Sequence, residues 1–415
     1  MTLAIHGGTP VRTRPFAAWP RHGSEEEQAL LEVLHSGSWG GYQPAVRELE
    51  TRFAEYHRVP HAVSCSNGTV ALEVALRALG AGPGDEVIVP PFTFVASASA
   101  VLLCHAAPVF ADIHPETFNL SVAAAEAAIT PRTRAIVVVH FGGRPADMDA
   151  FQGLARKHGI ALLEDAAHAH GALWNGVPVG GWGDAATFSF QEFKLMTAGE
   201  GGMILSKSED VADKCWAYCN QGRKRGGGWF DHYTLGTNYR LTGFQAAVLL
   251  AHLRRLPEQT RTRAANAAYL RERLREIPGL RLPEDDARVA QHPHYLLTFW
   301  YDAAAFDGLP RDMALRALQA EGIPLKATYP HPLYRNPVFN TERAALARCG
   351  DWRAAQEYDR LQLPVSERVC REGVWLSHNA LLGDTGDIDD IVEALHKVRK
   401  LASTMLTSQA AAERR

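Results

Sequence analysis

Between residues 60 and 206 short β-rich runs alternate with helical patterns, and no other feature of this sequence restricts its fold as much. The runs fall at 62–65, 87–89, 108–111, 135–140, 160–163, 186–190 and 203–205, and several are continuously apolar. Strands that read this way are parallel ones covered by helices on both faces. The helical patterns between them fall at 69–79, 94–104, 121–129 and 147–158. This order predicts an α/β fold with a doubly wound, mostly parallel sheet, whose ligands bind outside the carboxyl ends of its strands.

Two helices are expected before the sheet. Ser24 with Glu27 three residues on has the form of a capping box ahead of Leu30, Leu31 and Leu34, and Gly37 supplies a stop. Pro44 suits a first helical position, and Val46, Leu49, Phe53 and Tyr56 follow at helical spacing. Past Pro257 the pattern becomes a charged helix at 258–276, a strand at 294–301, a helix at 311–321 and a closing helix at 387–400. The expected division is a large domain with an N-terminal arm at 1–255, a smaller C-terminal α+β domain at 256–401, and a flexible tail at 402–415.

With 415 residues, 46% of them apolar, the chain can bury the cores of more than one lobe. A net charge of −3 provides no basic field for nucleic acid or an anionic membrane, and no apolar run reaches membrane-span length. The expected partner is a small molecule. Cysteines at 65, 104, 215, 219, 349 and 370 lack the spacing of a disulfide framework, and the N-terminus lacks a signal-peptide pattern. Both fit a reducing cytoplasm. Cys215 and Cys219 could share a helix face, but a zinc site needs two more ligands, so no metal is expected.

Three motifs fall where such a sheet would place a site. Ser66-Asn67-Gly68-Thr69 joins a strand to a helix, so its N–H groups, the Thr69 hydroxyl and the helix dipole would receive a phosphate. An ordinary Asn-Gly turn capping a helix fits the same residues. Asp165, within Glu164-Asp165-Ala166-Ala167-His168-Ala169-His170, falls at a strand's carboxyl end, where a buried carboxylate needs a cationic or hydrogen-bonding partner. A protonated ring nitrogen would meet that need; so would the following loop, with His168 and His170 as structural polar residues or metal ligands. Lys194 lies just past the strand at 186–190 and before Gly199-Glu200-Gly201-Gly202. Enclosed by Phe190, Phe193 and Leu195, its amine would have its pKa lowered by desolvation, the condition a Schiff-base lysine exploits. A solvated lysine ahead of a glycine turn is the plainer alternative.

The motifs gain weight from their order: Ser66 to Thr69, then Phe92-Thr93-Phe94, Asp165, Ser189 and Lys194. In that order they resemble the DegT family of fold-type I pyridoxal 5'-phosphate (PLP) aminotransferases. The likeness covers residues 10–400, and Val87-Ile88-Val89-Pro90-Pro91 and Gly236-Thr237-Asn238-Tyr239-Arg240 extend it. The resemblance implies that Lys194 carries the cofactor as a Schiff base and that Asp165 pairs with the pyridine nitrogen. It also implies that Gly68, Thr69 and Ser189 hold the phosphate, that Phe94 covers one ring face, and that His168 lies by the ring or its hydroxyl. Lys194, Asp165 and His168 would be the catalytic residues. Asn238 resembles an asparagine that reaches the phosphate of the neighbouring subunit, which implies a homodimer with shared active sites.

One branch is nearer. Trp19-Pro20, Phe190-Gln191, Lys194-Leu195-Met196-Thr197-Ala198-Gly199, Leu333-Tyr334-Arg335 and Trp375-Leu376-Ser377-His378 resemble 3-amino-5-hydroxybenzoate synthases and glutamine-dependent inosose aminotransferases. In nucleotide-sugar aminotransferases the lysine is more often followed by Asn-Leu. The implied reaction moves an amino group from glutamine or glutamate to a keto group on a sugar or cyclitol ring, in secondary-metabolite or surface-sugar biosynthesis, and the expected ketone is an unactivated cyclic polyol. Tyr329, His331, Tyr334 and His378 offer groups suited to ring hydroxyls. Arg223, Lys224 and Arg225 could bind a nucleotide diphosphate, a donor carboxylate, or only solvent. Two rival readings are elimination to an aromatic amine, and a PLP-binding regulator without turnover; the presence of both Asp165 and Lys194 counts against the regulator.

Overall fold

A computed structural model describes residues 2–347 and 357–412; Cys349 and the tail positions 413–415 lie outside them. Helix α1 (Ser24–Ser36) and helix α2 (Pro44–His57) precede the sheet. The capping interaction of α1 sits one residue earlier than its sequence suggests. Ser24 is already helical, and the Glu26 carboxylate accepts from the Gly23 N–H at 2.8 Å.

The large-lobe strands are β1 (His61–Cys65), β2 (Glu86–Val89), β3 (Ala107–Phe110), β4 (Thr133–Val139) and β5 (Ala161–Asp165), and then β8 (Ala185–Ser189) and β9 (Gly202–Ser206). Between them β6 (Leu173–Trp174) and β7 (Val177–Pro178) form a small ribbon. The sheet order is β1-β9-β8-β5-β4-β2-β3. Only β9 runs against the rest, pairing antiparallel with β1 and β8. The β8–β9 connection, which carries Lys194, has no crossover helix, and a parallel return would need one.

Successive strand residues serve opposite faces. Val87 and Val89 pack with α3 (Gly68–Ala78), α4 (Ala96–Leu103) and α7 (Glu209–Cys219), while Ile88 packs with α5 (Val122–Ala127) and α6 (Met148–His158). Farther along the sheet, Ala186, Phe188, Met203 and Leu205 meet α2 and the start of α8 (Gly243–Arg275). Both faces are therefore dry, which is why the strands read as unbroken apolar runs.

Helix α8 runs unbroken across the expected boundary at 255/256, through Pro257 and into the small lobe, where the sequence pattern suggested a helix starting only at 258. A proline inside a helix costs about 3 kcal/mol. The helix buries Leu249, Leu253 and Leu256 in the large-lobe core and Ala267, Leu270 and Leu274 in the small-lobe core. At about 1.5–3 kcal/mol per buried leucine, these contacts outweigh the proline.

The small lobe has a sheet of order β10-β12-β14-β13, from β10 (Leu280–Arg281), β12 (Leu296–Tyr301), β13 (Lys326–Ala327) and β14 (Gly373–Ser377). Its β11 (Val289–Gln291) pairs with β6 of the large lobe. Around the sheet lie α9 (Arg311–Ala320), α10 (Pro337–Ala347), α11 (Pro364–Glu372), α12 (Thr385–Lys400) and α13 (Ala402–Ala412). The segment expected to be a flexible tail thus forms α13, with Ala402 and Met405 in the small-lobe core. The N-terminal arm, grouped from sequence with the large domain, is tied to this lobe as well. Arg12 Nη1 meets Asp387 at 2.8 Å and Asp390 at 2.6 Å, and the Glu321 carboxylate accepts from the Ala4 and Val11 amides and from Lys397.

Candidate active site

The last two residues of β5 face opposite sides and do different work. Glu164 accepts from the amides of Gly180, Trp182 and Gly183 and from His140 Nε2 at 3.1 Å. Burial pushes its carboxyl up, but the His140 and glycine hydrogen bonds win and hold it below the usual carboxylate range. It is a structural anion. Asp165 points to the other side, where Oδ2 accepts from the Ser97 hydroxyl at 2.7 Å and Oδ1 from the Ala167 N–H at 3.2 Å. A carboxylate has about four acceptor positions, so this buried group keeps capacity for a ring N–H. Ser97, missed in the sequence, is a buried polar residue in the apolar helix α4, and that oddity is its only signal.

The phosphate turn forms as its sequence suggests. Asn67 caps α3 by accepting from the Val70 N–H at 2.9 Å, so Gly68 and Thr69 occupy the first turn, where helical amides lack intrahelical partners. Gly68 lies hard against the end of β8: a Cβ there would stand 2.7 Å from Ser189 Cβ and 3.1 Å from its Oγ. This close approach brings the Ser189 hydroxyl beside the helix N-terminus. A hydroxyl thus stands beside free helical amides, an arrangement that suits an anion.

Lys194 leaves the β8–β9 loop half-buried, with Nζ 4.8 Å from the centre of the Tyr295 ring. Burial pushes its amine down to about 8, against the opposing pull of the Asp165 charge. The His168 ring stacks on Tyr295 at 4.3 Å, and burial, with the Lys194 and His170 charges, keeps it neutral. Its Nδ1 has no partner among the described residues. Tyr295, whose phenol is raised to about 12 by burial, comes from the small lobe and had no motif to announce it. Its approach depends on Gly143, at φ +92°, where a Cβ would collide with the His168 carbonyl and the Tyr295 amide.

The other expected residues divide. Phe94 stands 56% exposed just ahead of α4, its aromatic ring uncovered. Tyr329 packs against Phe92, Phe141 and Trp375, and the Tyr295 and Asp165 charges add to the burial that raises its phenol. His378 is buried beside Tyr295, and its Nε2 bonds to the Phe193 carbonyl at 3.1 Å. His331 is exposed and bonds locally to the Pro332 carbonyl. Tyr334 is a correction: it is buried among Phe110 and its neighbours in the large-lobe core, and its hydroxyl donates to Glu367 at 2.8 Å. Asn238 is exposed, bridged to Asn220, and is not brought into this chain's own cluster. Of the three loop cations, Arg223 lies over Trp229 and donates to Gln221 Oε1, Arg225 pairs with Asp213, and Lys224 lies over Tyr233. Cavities of about 510 and 600 Å³ elsewhere, around Arg132 and Arg311, include none of the residues of the Lys194 cluster.

The set fits pyridoxal phosphate. The first turn of α3 and Ser189 suit the phosphate, the spare acceptors of Asp165 suit the ring nitrogen, and the orphaned His168 Nδ1 and uncovered Phe94 suit the ring. The profile of the DegT/DnrJ/EryC1/StrS aminotransferase family matches residues 20–396. A putative L-glutamine:3-amino-2,3-dideoxy-scyllo-inosose aminotransferase of Streptomyces kanamyceticus is 42% identical over 410 residues, covering 96% of this chain and 97% of the relative. The L-glutamine:2-deoxy-scyllo-inosose aminotransferase of Streptomyces fradiae is 39% identical, covering 98% and 99%. The crystal structure of 3-amino-5-hydroxybenzoic acid synthase superposes with a TM-score of 0.85 at 35% identity, covering 93% of this chain and 99% of that one.

Proposed function

The chain belongs to the DegT/DnrJ/EryC1/StrS aminotransferase family, and from that premise we propose that it moves an amino group from glutamine to a ketone on a free cyclitol ring, using Lys194, Asp165 and His168. The observation that carries the amino-transfer chemistry is the placement of the Lys194 amine, 4.8 Å from the Tyr295 ring centre, where burial brings it down to about 8 against the opposing charge of Asp165. Bound pyridoxal phosphate supplies a sink for the electron pair left when the donor's Cα–H bond breaks. Asp165, held in place by Ser97 and the Ala167 N–H, would keep the proton on the pyridine nitrogen. Lys194 would hold the group through its amine and, once freed, would act as a neutral base, taking the proton from the donor's Cα and returning it to the cofactor carbon on the far side of the donor nitrogen. His168 is neutral and can donate or accept a hydrogen bond at the ring without adding charge. Gly68, Thr69 and Ser189 would hold the phosphate, and Phe94 would cover the ring.

The cyclitol reading follows the substrates named for the two inosose aminotransferases. It agrees with the commitment of Arg223 and Arg225 to partners in their own region, which leaves no open arginine pair in that loop for a diphosphate. Tyr329, near enough to Tyr295 and Asp165 for their charges to raise its phenol, would take a ring hydroxyl, with exposed His331 as a second group for the ring. A homodimer with shared sites is part of the proposal. Trp229, Phe230 and Leu235, exposed at 67%, 85% and 87%, share a loop with Asn238 and suit burial against a second copy. The buried, unpaired cysteines suit a cytoplasmic location.

The test is kcat/KM for a keto-inositol against a nucleotide-linked 4-keto-sugar, with glutamine and glutamate each as donor and products read by mass. Preference for the nucleotide sugar overturns the cyclitol reading. Elimination to an aromatic amine is the second reading, favoured by the backbone match to 3-amino-5-hydroxybenzoic acid synthase. Release of such an amine without net amino transfer would establish it.

A further inference from the structure

The loop that presents Lys194 is held from outside its own lobe at the two residues before the lysine. The Trp19 indole Nε1–H donates to the Glu192 carbonyl at 3.0 Å, and His378 Nε2 meets the Phe193 carbonyl at 3.1 Å. A carbonyl only accepts, so His378 is the Nε2–H tautomer and donates. The two rings brace each other edge to face, 4.5 Å between centres. Neither belongs to the large lobe. Trp19 ends the N-terminal arm, which Arg12 and Asn379 fix to the small lobe, the Asn379 amide donating to the Ala17 carbonyl at 2.9 Å. His378 follows directly on β14 of the small-lobe sheet.

We propose that Trp19 and His378 are positioning residues that clamp the 192–193 peptides and thereby let the small lobe set the direction in which Lys194 enters the site. The proposal rests on the reading of Lys194 as the amine that carries and releases the cofactor. It also gives His378 a task besides the substrate contact expected from sequence: its one N–H is spent on Phe193, while Nδ1, without a partner among the described residues, remains an acceptor. Burial first, and then the nearby Arg263 and Lys194 charges, bring that imidazole down to about 3, so the donor persists across the working pH range. The clamp acts by peptide placement: without it the β8–β9 loop keeps its internal turn, the Lys194 N–H to Gln191 carbonyl bond at 2.8 Å, but loses its outside reference.

The experiment compares holoenzymes carrying His378→Leu, His378→Gln and Trp19→Phe with the parent. It reads local amide hydrogen exchange alongside kcat and both KM values. Leucine removes the donor, glutamine restores one at similar reach, and phenylalanine keeps an edge-on ring while removing only the bond to Glu192. In His378→Leu and Trp19→Phe, exchange across 190–196 should rise by about tenfold or more while that of β4 and β5 stays fixed. A misplacement of about 1 Å can cost roughly 100-fold, so kcat should fall by about 10- to 100-fold with KM values little changed. Glutamine should return both readings toward the parent. Unchanged exchange at 190–196, a raised KM for one substrate with kcat intact, or a glutamine variant no better than leucine would each overturn the clamp. Should the leucine variant not fold, Trp19→Phe decides by the same readings. The exchange measurement needs no turnover, so failure of the amino-transfer reading is seen separately, in the parent's own assay.

Discussion

Replacing Gly68 by alanine tests the cofactor cradle at its tightest point. The new Cβ would lie 2.7 Å from Ser189 Cβ, 3.1 Å from its Oγ and 3.3 Å from its Cα. Carbon atoms rest about 3.5–4.0 Å apart, so one side must retreat by about 1 Å. Ser189 cannot yield readily, because β8 is an interior strand and Ser189 itself pairs with Gly202 of β9. The start of α3 must recede instead, taking the Gly68 and Thr69 amides away from the anion position. A hydrogen bond of about 2.9 Å stretched by that amount is lost. At about 1.5–3 kcal/mol for a hydrogen bond to a charged group, pyridoxal phosphate should bind roughly 10- to 100-fold more weakly. Overpacking should also cost about 1–3 kcal/mol of stability. The assays are cofactor titration by absorbance and thermal melting. Gly68→Ala combined with Ser189→Gly, which deletes the colliding carbon, should recover the melting temperature but not full affinity, since the serine hydroxyl is gone. An unchanged cofactor Kd in Gly68→Ala, or a double variant no more stable than the single, would refute this account of the cradle.

Lys194→Ala should abolish turnover while keeping the fold, and borohydride reduction of the parent followed by peptide mapping should place the cofactor mass on Lys194; label on Lys207 or Lys326 would contradict the assignment. Because the Lys194 amine is lowered to about 8 and acts only when neutral, the proton-transfer rate should fall about tenfold per pH unit below 8 and level off above it; a limb near 10 would mean an ordinary exposed lysine. Mixing Lys194→Ala subunits with Asn238→Ala subunits should yield more activity than either alone if Asn238 works in the partner's site; a fully active species that sediments as a monomer would exclude sharing.

Much of the site was legible because it lies at strand ends. A parallel strand buried on both faces announces itself as an apolar run, and the polar residues just past it, Asp165 and Lys194, must be at the sheet's carboxyl edge. The turn before α3 was legible for the same reason, since Asn67 and Gly68 mark a helix start whatever the rest of the chain does. The continuity of α8 across the two lobes was not. Pro257 looks like a break locally, and only the leucines on either side, buried in two different cores, make continuing the helix worthwhile.

What the sequence by itself determined, then, was the alternation that builds the sheet and the identity of the groups at its edge, because both follow from periodicity within a few residues. The tertiary structure alone decided which distant groups meet them. Tyr295 over Lys194, Ser97 on Asp165, and Trp19 and His378 on the lysine's loop come from four separate segments with no shared spacing. The same packing withdrew Tyr334, whose hydroxyl looked suited to a substrate until the large-lobe core and Glu367 claimed it. A side chain's chemistry is written in its own residue type, but its neighbours are fixed by how two lobes close on each other, and no local pattern encodes that.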